Sequence, residues 1–362
     1  MKPPYRADQV GSLLRPAELS NARKRWKQGA LGADALQAIE DRAIREAVKK
    51  QEAIGLAAVT DGEFRRDWWH LDFLAQLDGV TTRVNPGPKF GGTEEQPPIA
   101  TVTGKVGCSK PIMVEHFSFL KSVAKATPKF TIPSPSMLHL RGGRNAISKE
   151  AYPDLDAFWD DVAAAYRKAI AHLAKAGCTY LQLDDVGFSY LCDAKVRENF
   201  RANGDDPAGL PLTYAQAINR ALKDRPKGMT VTMHTCRGNF RSTWFASGGY
   251  QEEVLDGMFS ADVDGFFMEY DSERAGGFEP LRRLPKGKNV VLGLVTTKSG
   301  ALEEKDRLKR RIDEASRHVP LENLRLSPQC GFSSTHHGNR LTEEEQWRKL
   351  ERVVEVARDV WR

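Results

Sequence analysis

MTVTMHTC, residues 229–236, is a short apolar run that ends in a histidine and a cysteine. Two similar runs follow it along the chain: VDGFFME (263–269) ends in Glu269, and LRLSPQC (324–330) ends in Cys330. Short runs of β-branched or aromatic residues, bounded by Gly, Pro or charged residues, are typical of buried strands. The sequence therefore predicts three buried strands, each with metal-binding side chains at its downstream end.

Helical and strand-like segments alternate over most of the chain. Helical spacing is found at 33–54, 154–176, 213–224, 302–318 and 342–361. Strand candidates lie at 8–12, 56–61, 129–133, 179–184, 229–235, 264–269, 289–295 and 323–328. Strands that are separated by helix-sized segments pair in parallel, and eight of them predict an α/β fold, the (β/α)8 or TIM barrel. We expect a single domain spanning residues 1–362.

A ninth apolar segment, IATVTGKV at 99–106, does not fit an eight-stranded barrel. It lies beside a stretch rich in Pro and Gly at 85–98. We interpret the region near 85–106 as an inserted loop or hairpin over the barrel mouth. Nine strands in the barrel itself would contradict the fold assignment.

The polar residues at the strand ends predict a metal site. In a parallel barrel the C-terminal strand ends converge on one mouth. His234 and Cys236 lie on the same side of an extended strand because side chains alternate with a period of two. With Glu269 and Cys330 they form a set of N, S and O ligands that suits Zn²⁺. Such an anionic site favours alkyl transfer to sulfur over hydrolysis, although buried core cysteines or a Cys236–Cys330 redox pair are alternatives.

Composition excludes several classes of protein. The 54 basic and 48 acidic residues give a formal charge of +6, and no basic block interleaves with aromatic residues, so the sequence does not favour nucleic-acid binding. Five cysteines argue against a disulfide framework and for a reducing compartment. No apolar stretch approaches the roughly 20 residues of a membrane span. We expect a cytoplasmic protein with no membrane partner, and the sequence does not define its oligomeric state.

Seven short strings, in this order and spacing, carry a family resemblance: DQVGSLLRP, TDGEFRRD, YLQLDD, HTC, FFMEYDSERAG, VVLGLVTTKS and LSPQCGF. The chain resembles the catalytic C-terminal half of cobalamin-independent methionine synthase, a 5-methyltetrahydropteroyltriglutamate–homocysteine methyltransferase, and especially its stand-alone single-barrel relatives. The resemblance implies a zinc held by His234, Cys236, Glu269 and Cys330. It also implies homocysteine bound by Ser12, Glu63 and Asp184, and S-methylation of that thiol to give methionine.

Three departures from the family pattern concern the methyl donor and proton transfer. The N-terminal half of the full-length enzyme has no counterpart here, so the identity of the methyl donor is open. The candidates are a methyl folate, a methylated corrinoid protein and a small methylated compound. The family sequence DEP reads Asp184-Asp185-Val186, which makes Asp185 a shortened candidate catalytic acid. Lys298 stands where the full-length enzyme has a histidine suspected in proton transfer. It is a candidate proton donor, and the alternatives are an anion-binding residue or a surface ion pair.

Other assignments remain open at this point. Five aromatic residues near the motifs can shape a donor pocket or simply pack in the barrel: Trp68, Trp69, Phe188, Tyr190 and Trp244. His336 and His337 are candidates for donor contact or proton transfer. The nearest rival function is alkyl transfer to another thiol, such as coenzyme M, from a non-folate donor. A non-enzymatic zinc-binding or redox protein is the rival from a different class.

Overall fold

The computed structural model describes residues 2–84, 98–246 and 248–361. The strands of this part are β1 (Ala58–Val59), β2 (Asp78–Val84), β3 (Pro98–Gly107), β4 (Thr127–Pro133), β5 (Tyr180–Asp185), β6 (Thr230–Thr235), β7 (Gly265–Glu269), β8 (Asn289–Val295) and β9 (Leu324–Pro328). Seven of them form one parallel sheet in the order β1-β4-β5-β6-β7-β8-β9. Each strand pairs with the next one along this order, so successive strand ends lie side by side at one edge of the sheet.

The α-helices of the described part are α1 (Ala17–Lys27), α2 (Ala33–Ile54), α3 (Leu71–Leu74), α4 (Val114–Val123), α5 (Met137–Leu140), α6 (Leu155–Lys175), α7 (Gly187–Leu191), α8 (Ala194–Ala202), α9 (Leu210–Leu222), α10 (Glu252–Phe259), α11 (Lys305–Ser316) and α12 (Glu343–Val360). The five long helices expected from the sequence are all present. The turn at the end of α2 requires a left-handed residue, and Gly55 supplies it with φ 94°. None of the helices described is long and apolar enough to cross a membrane.

The N-terminal segment joins the two ends of the curled sheet. The amide of Asp8 donates to the carbonyl of Leu326 on β9 (3.0 Å), and the amide of Leu13 donates to the carbonyl of Gly62 after β1 (3.0 Å). The strand expected at 8–12 is reduced to one isolated bridge, Ala7 with Leu326. The Asp8 carboxylate accepts the amide of Gln9 (2.8 Å), and such local side-chain bonds compete with a regular ladder. The predicted α/β barrel class is confirmed, with an irregular first strand.

The ninth apolar segment forms β3, outside the parallel sheet. It pairs with β2 as a separate antiparallel hairpin, with Val84 opposite Pro98 and Asp78 opposite Gly107. The predicted hairpin is therefore present, and its partner strand is 78–84. The rest of the predicted insertion, 85–97, lies outside the described residues.

Candidate active site

Four potential metal ligands meet at the C-terminal ends of consecutive strands. His234 lies on β6 with Cys236 just beyond it, Glu269 ends β7, and Cys330 follows β9. One ligand atom from each residue lies within 4.8 Å of the others, and all four residues are buried. The Sγ atoms of Cys236 and Cys330 are 3.4 Å apart. The parallel register thus brings together residues that are up to 96 positions apart (330 − 234 = 96).

The donor atoms of this cluster fit a metal ion. Both ring nitrogens of His234 and Oε2 of Glu269 are buried and have no hydrogen-bond partner among the described residues. Buried polar atoms are almost always satisfied, so these three are available as ligands. Burial raises the pKa of the Glu269 carboxyl to about 7, and its Oε2 lies 3.9 Å from the Arg274 guanidinium. A metal ion would add a second positive charge that favours the ionised carboxylate. Two thiols, an imidazole and a carboxylate are a ligand set that suits tetrahedral zinc.

Backbone and side-chain contacts hold Glu269 in place. Its Oε1 accepts the amide of Arg237 (3.1 Å), and its own amide donates to the hydroxyl of Tyr250 (3.1 Å). The guanidinium of Arg237 lies over the Tyr250 ring, 4.3 Å from its centroid. Such outer contacts fix the orientation of a metal-binding side chain.

Two further carboxyls lie close to this cluster. Glu63 Oε1 accepts the hydroxyl of Thr131 (2.8 Å), while Oε2 is buried without a partner in the described chain. Asp184 Oδ1 accepts the side-chain amide of Gln182 (2.7 Å). Burial raises the pKa of Glu63, and it raises the pKa of Asp184 to about 7. The buried guanidinium of Arg66 lies 3.7 Å from Glu63 Oε1 and offsets part of the negative charge. The second carboxyl and the unpartnered Oε2 of Glu63 still favour a further cation, such as an ammonium group.

Ser12 completes the set expected from the sequence. Its Oγ accepts the amide of Ser333 (3.3 Å), in the loop that also carries Cys330. A Cβ added at Gly331 would lie 1.9 Å from Ser12 Oγ, so only glycine fits beside it. We call Ser12, Glu63 and Asp184 the floor of the site.

Arg15 joins the segments that carry the floor. Its buried guanidinium donates to the carbonyls of Glu63 (3.0 Å) and Arg66 (2.6 Å) after β1. It also donates to the carbonyl (3.2 Å) and hydroxyl (2.6 Å) of Ser333 after β9. One side chain thus fixes both sides of the floor. Sequence reasoning did not identify this role, because nothing in the motif shows that the side chain turns inward.

The floor and three of the four potential metal ligands line one cavity of about 600 Å³. This volume is within the range of small-molecule binding sites. The cavity is mostly apolar, and its aromatic wall consists of Trp68, Trp69, Tyr190, Phe200, Phe240, Trp244 and Phe245. Of the aromatic residues expected near a donor, four line the cavity, whereas Phe188 packs against Tyr214 instead.

Comparison with known proteins identifies the family. Residues 6–359 match the family model described as the cobalamin-independent synthase catalytic domain. The chain belongs to this family. It is 50% identical to the protein YxjH of Bacillus subtilis (strain 168), over 100% of this chain and 96% of YxjH. It is 22% identical to the 5-methyltetrahydropteroyltriglutamate–homocysteine methyltransferase of Bacillus licheniformis, and this match covers 96% of the chain but only 42% of that longer protein.

Solved structures of the family share the fold. The putative vitamin-B12 independent methionine synthase of Listeria monocytogenes has a TM-score of 0.80 and 41% identity, over 99% of this chain and 98% of that one. The B12-independent methionine synthase of Shewanella sp. W3-18-1, solved in complex with selenomethionine, has a TM-score of 0.74 and 20% identity, over 98% and 97% of the two chains. The second likeness shows the fold alone. The family assignment makes this chain a methionine-synthase-like methyltransferase.

The two candidate catalytic residues occupy different positions. Asp185 lines the cavity, but it is fully buried and accepts hydrogen bonds from the hydroxyls of Ser134 and Ser136 and from the amide of Phe188 (3.1 Å). These contacts tie the ends of β4 and β5 together. A catalytic role for Asp185 stays a prediction.

Lys298 lies behind the loop that follows β6. Its Nζ donates to Asn239 Oδ1 (3.0 Å) and to the carbonyls of Thr243 (3.1 Å) and Gly238 (3.4 Å). Its ammonium is 5.4 Å from the centroid of the Trp244 ring. Lys298 is not among the described residues that line the cavity. Its positive charge nevertheless contributes, after the hydrogen bond with Cys236, to holding the pKa of the Cys330 thiol below its usual value. Proton transfer by Lys298 remains a prediction.

The histidine pair after β9 packs against the aromatic wall. The rings of His336 and His337 lie 5.8 and 6.1 Å from Trp68, and His337 lies 5.1 Å from Phe240. Both histidines are half-buried and neither is part of the described cavity lining. They support the wall, and a role in donor contact stays a prediction.

Proposed function

We propose that this chain is a zinc-dependent S-methyltransferase that methylates the thiol of homocysteine to give methionine. The observation that supports the proposal is the placement of the anionic floor and three of the four clustered potential metal ligands around one cavity. A site of this kind can hold an amino acid by its polar end while its thiol faces the metal ligands. Family membership supports the same activity.

The floor would bind and orient the acceptor. Asp184 and the unpartnered Oε2 of Glu63 would accept hydrogen bonds from the α-ammonium. The hydroxyl of Ser12 would donate to the α-carboxylate, as a short hydroxyl beside a glycine can. Burial strengthens these contacts because little water competes for them.

His234, Cys236, Glu269 and Cys330 would hold the zinc. When bound, zinc supplies a Lewis acid that lowers the pKa of the acceptor thiol, so that the thiolate is present at neutral pH. The protein's own contribution is to fix the ligands: Arg237 and Tyr250 hold Glu269, and the parallel register sets the spacing of the others. The methyl group then passes from donor nitrogen to acceptor sulfur, and the nitrogen keeps the bonding electron pair and takes up a proton.

A methyl folate is the donor we propose. It agrees with the family and with the name of the Bacillus licheniformis relative. The aromatic wall supports it, because flat ring systems stack on such side chains. The comparisons give no support to a methylated corrinoid protein. Asp185 and Lys298 stay candidates for supplying the proton to the leaving nitrogen.

Alkyl transfer to another thiol is the alternative function. Coenzyme M carries a sulfonate and no ammonium group, so it would place an anion where the floor has two buried carboxyls. The charge on the floor therefore favours an aminothiol such as homocysteine.

Zinc-edge X-ray absorption of the purified protein, with and without homocysteine, tests the proposal. We expect one additional sulfur in the first shell when homocysteine is added. Parallel titrations with coenzyme M and glutathione serve as controls for thiol selectivity. A zinc shell that does not change with homocysteine would contradict the proposed acceptor, and a shell that changes only with coenzyme M would support the alternative.

A further inference from the structure

A second cavity lies apart from the candidate active site. It has a volume of about 220 Å³ and lies between the ends of β7 and β8 and the start of α11. Its described lining shares no residue with the described lining of the first cavity. The volume is below the range of sites for drug-sized ligands, so this cavity suits a small metabolite. We call it the β7–β8 cavity.

One carboxylate in the wall of the β7–β8 cavity has an unused oxygen. Oδ1 of Asp271 and the hydroxyl of the neighbouring Tyr270 are buried without a hydrogen-bond partner among the described residues. The other carboxylate of the described wall, Glu303, accepts the amide of Thr296 (2.9 Å) and pairs with the buried Lys349 (3.1 Å). Because buried polar atoms are almost always satisfied, the free oxygen and hydroxyl are available to a ligand. A carboxylate oxygen only accepts hydrogen bonds, so it favours a donor such as an ammonium group.

One cation in the same wall is also unused. Arg307 is exposed in the first turn of α11 and forms no ion pair in the part of the chain that the structure describes. Arg311, one turn later, already pairs with Glu314 (2.8 Å) and lies over the Phe278 ring, 4.1 Å from its centroid. The N-terminus of α11 has no side-chain cap. A free guanidinium beside uncapped helix amides favours a carboxylate or another anion.

The wall between these polar groups includes aliphatic side chains. Leu294, Leu302 and Leu308 all line the cavity, and Leu302 is exposed to solvent. A ligand that covered them with an aliphatic group would remove apolar surface from water, which is favourable. The ligand that suits all three parts of the wall therefore has an ammonium group, a carboxylate and an aliphatic chain.

We propose that the β7–β8 cavity binds a free α-amino acid with an aliphatic side chain. Asp271 accepts hydrogen bonds from the α-ammonium, and Arg307 donates to the α-carboxylate. This site lies beyond the proposed function, because it needs neither the metal nor a methyl donor. Tyr270 directly follows Glu269, so the bound amino acid contacts the segment that carries one of the potential metal ligands.

Three matched probes test the site without catalytic turnover. L-Norleucine carries both charged groups, hexanoate lacks the ammonium group, and pentylamine lacks the carboxylate. Binding of each probe to the full chain is measured by isothermal titration. We expect norleucine to bind at least about tenfold more tightly than either other probe, because each of those lacks one charge-assisted hydrogen bond.

Variants on the two sides of the cavity separate the two charged contacts. Arg307→Gln should weaken the binding of norleucine and hexanoate and leave the binding of pentylamine unchanged. Asp271→Asn should weaken the binding of norleucine and pentylamine and leave the binding of hexanoate unchanged. Arg310→Gln is the matched control, because Arg310 is exposed on the same helix and is not among the described residues that line the cavity. If Asp271→Asn fails to fold, the exposed Arg307 still provides the test.

Asp184→Asn distinguishes the β7–β8 cavity from the floor of the candidate active site. The binding event that depends on Arg307 should be unchanged in Asp184→Asn. The assignment would be overturned by no binding of norleucine, by equal binding of the three probes, or by binding that survives Arg307→Gln. Inorganic phosphate that competes more tightly than norleucine would also overturn it, because the cavity would then be a simple anion site. The zinc-edge experiment tests the proposed function separately, so a failure of one proposal is distinguishable from a failure of the other.

Discussion

Replacing Asp184 by asparagine removes one negative charge from the floor and keeps the size of the side chain. Asp184 Oδ1 is already used by Gln182, so its second oxygen is the one available to an ammonium. A hydrogen bond to a charged group contributes about 1.5 to 3 kcal/mol. This corresponds to a Kd for homocysteine that is about tenfold to one hundredfold higher. We expect the lower end of this range, because Glu63 still provides a second carboxyl.

The assay compares two acceptors that differ only in the amino group. Homocysteine and 4-mercaptobutyrate are titrated against wild type and Asp184→Asn, with zinc content measured in parallel. Asp184→Asn should weaken the binding of homocysteine, leave the binding of 4-mercaptobutyrate unchanged and retain the zinc content. Asp262→Asn serves as the control, because Asp262 is an exposed surface carboxylate that pairs with Lys288. Equal weakening of both acceptors would refute an ammonium-binding role for Asp184.

The same carboxyl gives acceptor binding a pH dependence with a defined sign. Because burial raises the pKa of Asp184 to about 7, the group is increasingly protonated and neutral as the pH falls through that value. A neutral carboxyl attracts an ammonium less, so wild-type affinity for homocysteine should fall on acidification. Asp184→Asn cannot titrate, and its affinity should change much less over the same interval. An identical pH profile in the two proteins would contradict this explanation.

Other substitutions test the remaining parts of the site. Cys330→Ser should abolish zinc binding and activity together, with an unchanged far-UV circular dichroism spectrum; full activity without zinc would contradict the mechanism. Gly331→Ala should raise the KM for homocysteine severalfold, because its Cβ would displace Ser12 Oγ; an unchanged KM would exclude Ser12 from the acceptor site. Lys298→Met should lower the free energy of unfolding by about 1 to 3 kcal/mol, since it leaves buried oxygens unpaired. A loss of kcat with folding and zinc content unchanged would instead indicate that Lys298 takes part in proton transfer.

The sequence predicted the cluster of potential metal ligands because strand ends are visible as periodic patterns. His234, Cys236, Glu269 and Cys330 each close a short apolar run, and the parallel register then determines that they meet. Arg15 gave no such signal, since the inward turn of its side chain depends on tertiary packing. No sequence pattern indicated where the Lys298 side chain lies. The loop after β6 folds over it, and no local pattern specifies that fold.

The N-terminal segment that joins β9 to β1 has a consequence for assembly of the enzyme. Ser12 and Cys330 come from opposite ends of the chain, and their loops meet only when Asp8 has bonded to Leu326. Contacts between such distant positions carry a large loop-closure cost, so we expect them to form after the local helix–strand units. The metal and acceptor sites should therefore be completed in the last step of barrel closure. If the proposed zinc site is correct, a newly made chain would bind the metal tightly only after its final strand has docked, and zinc retention would then report a closed barrel.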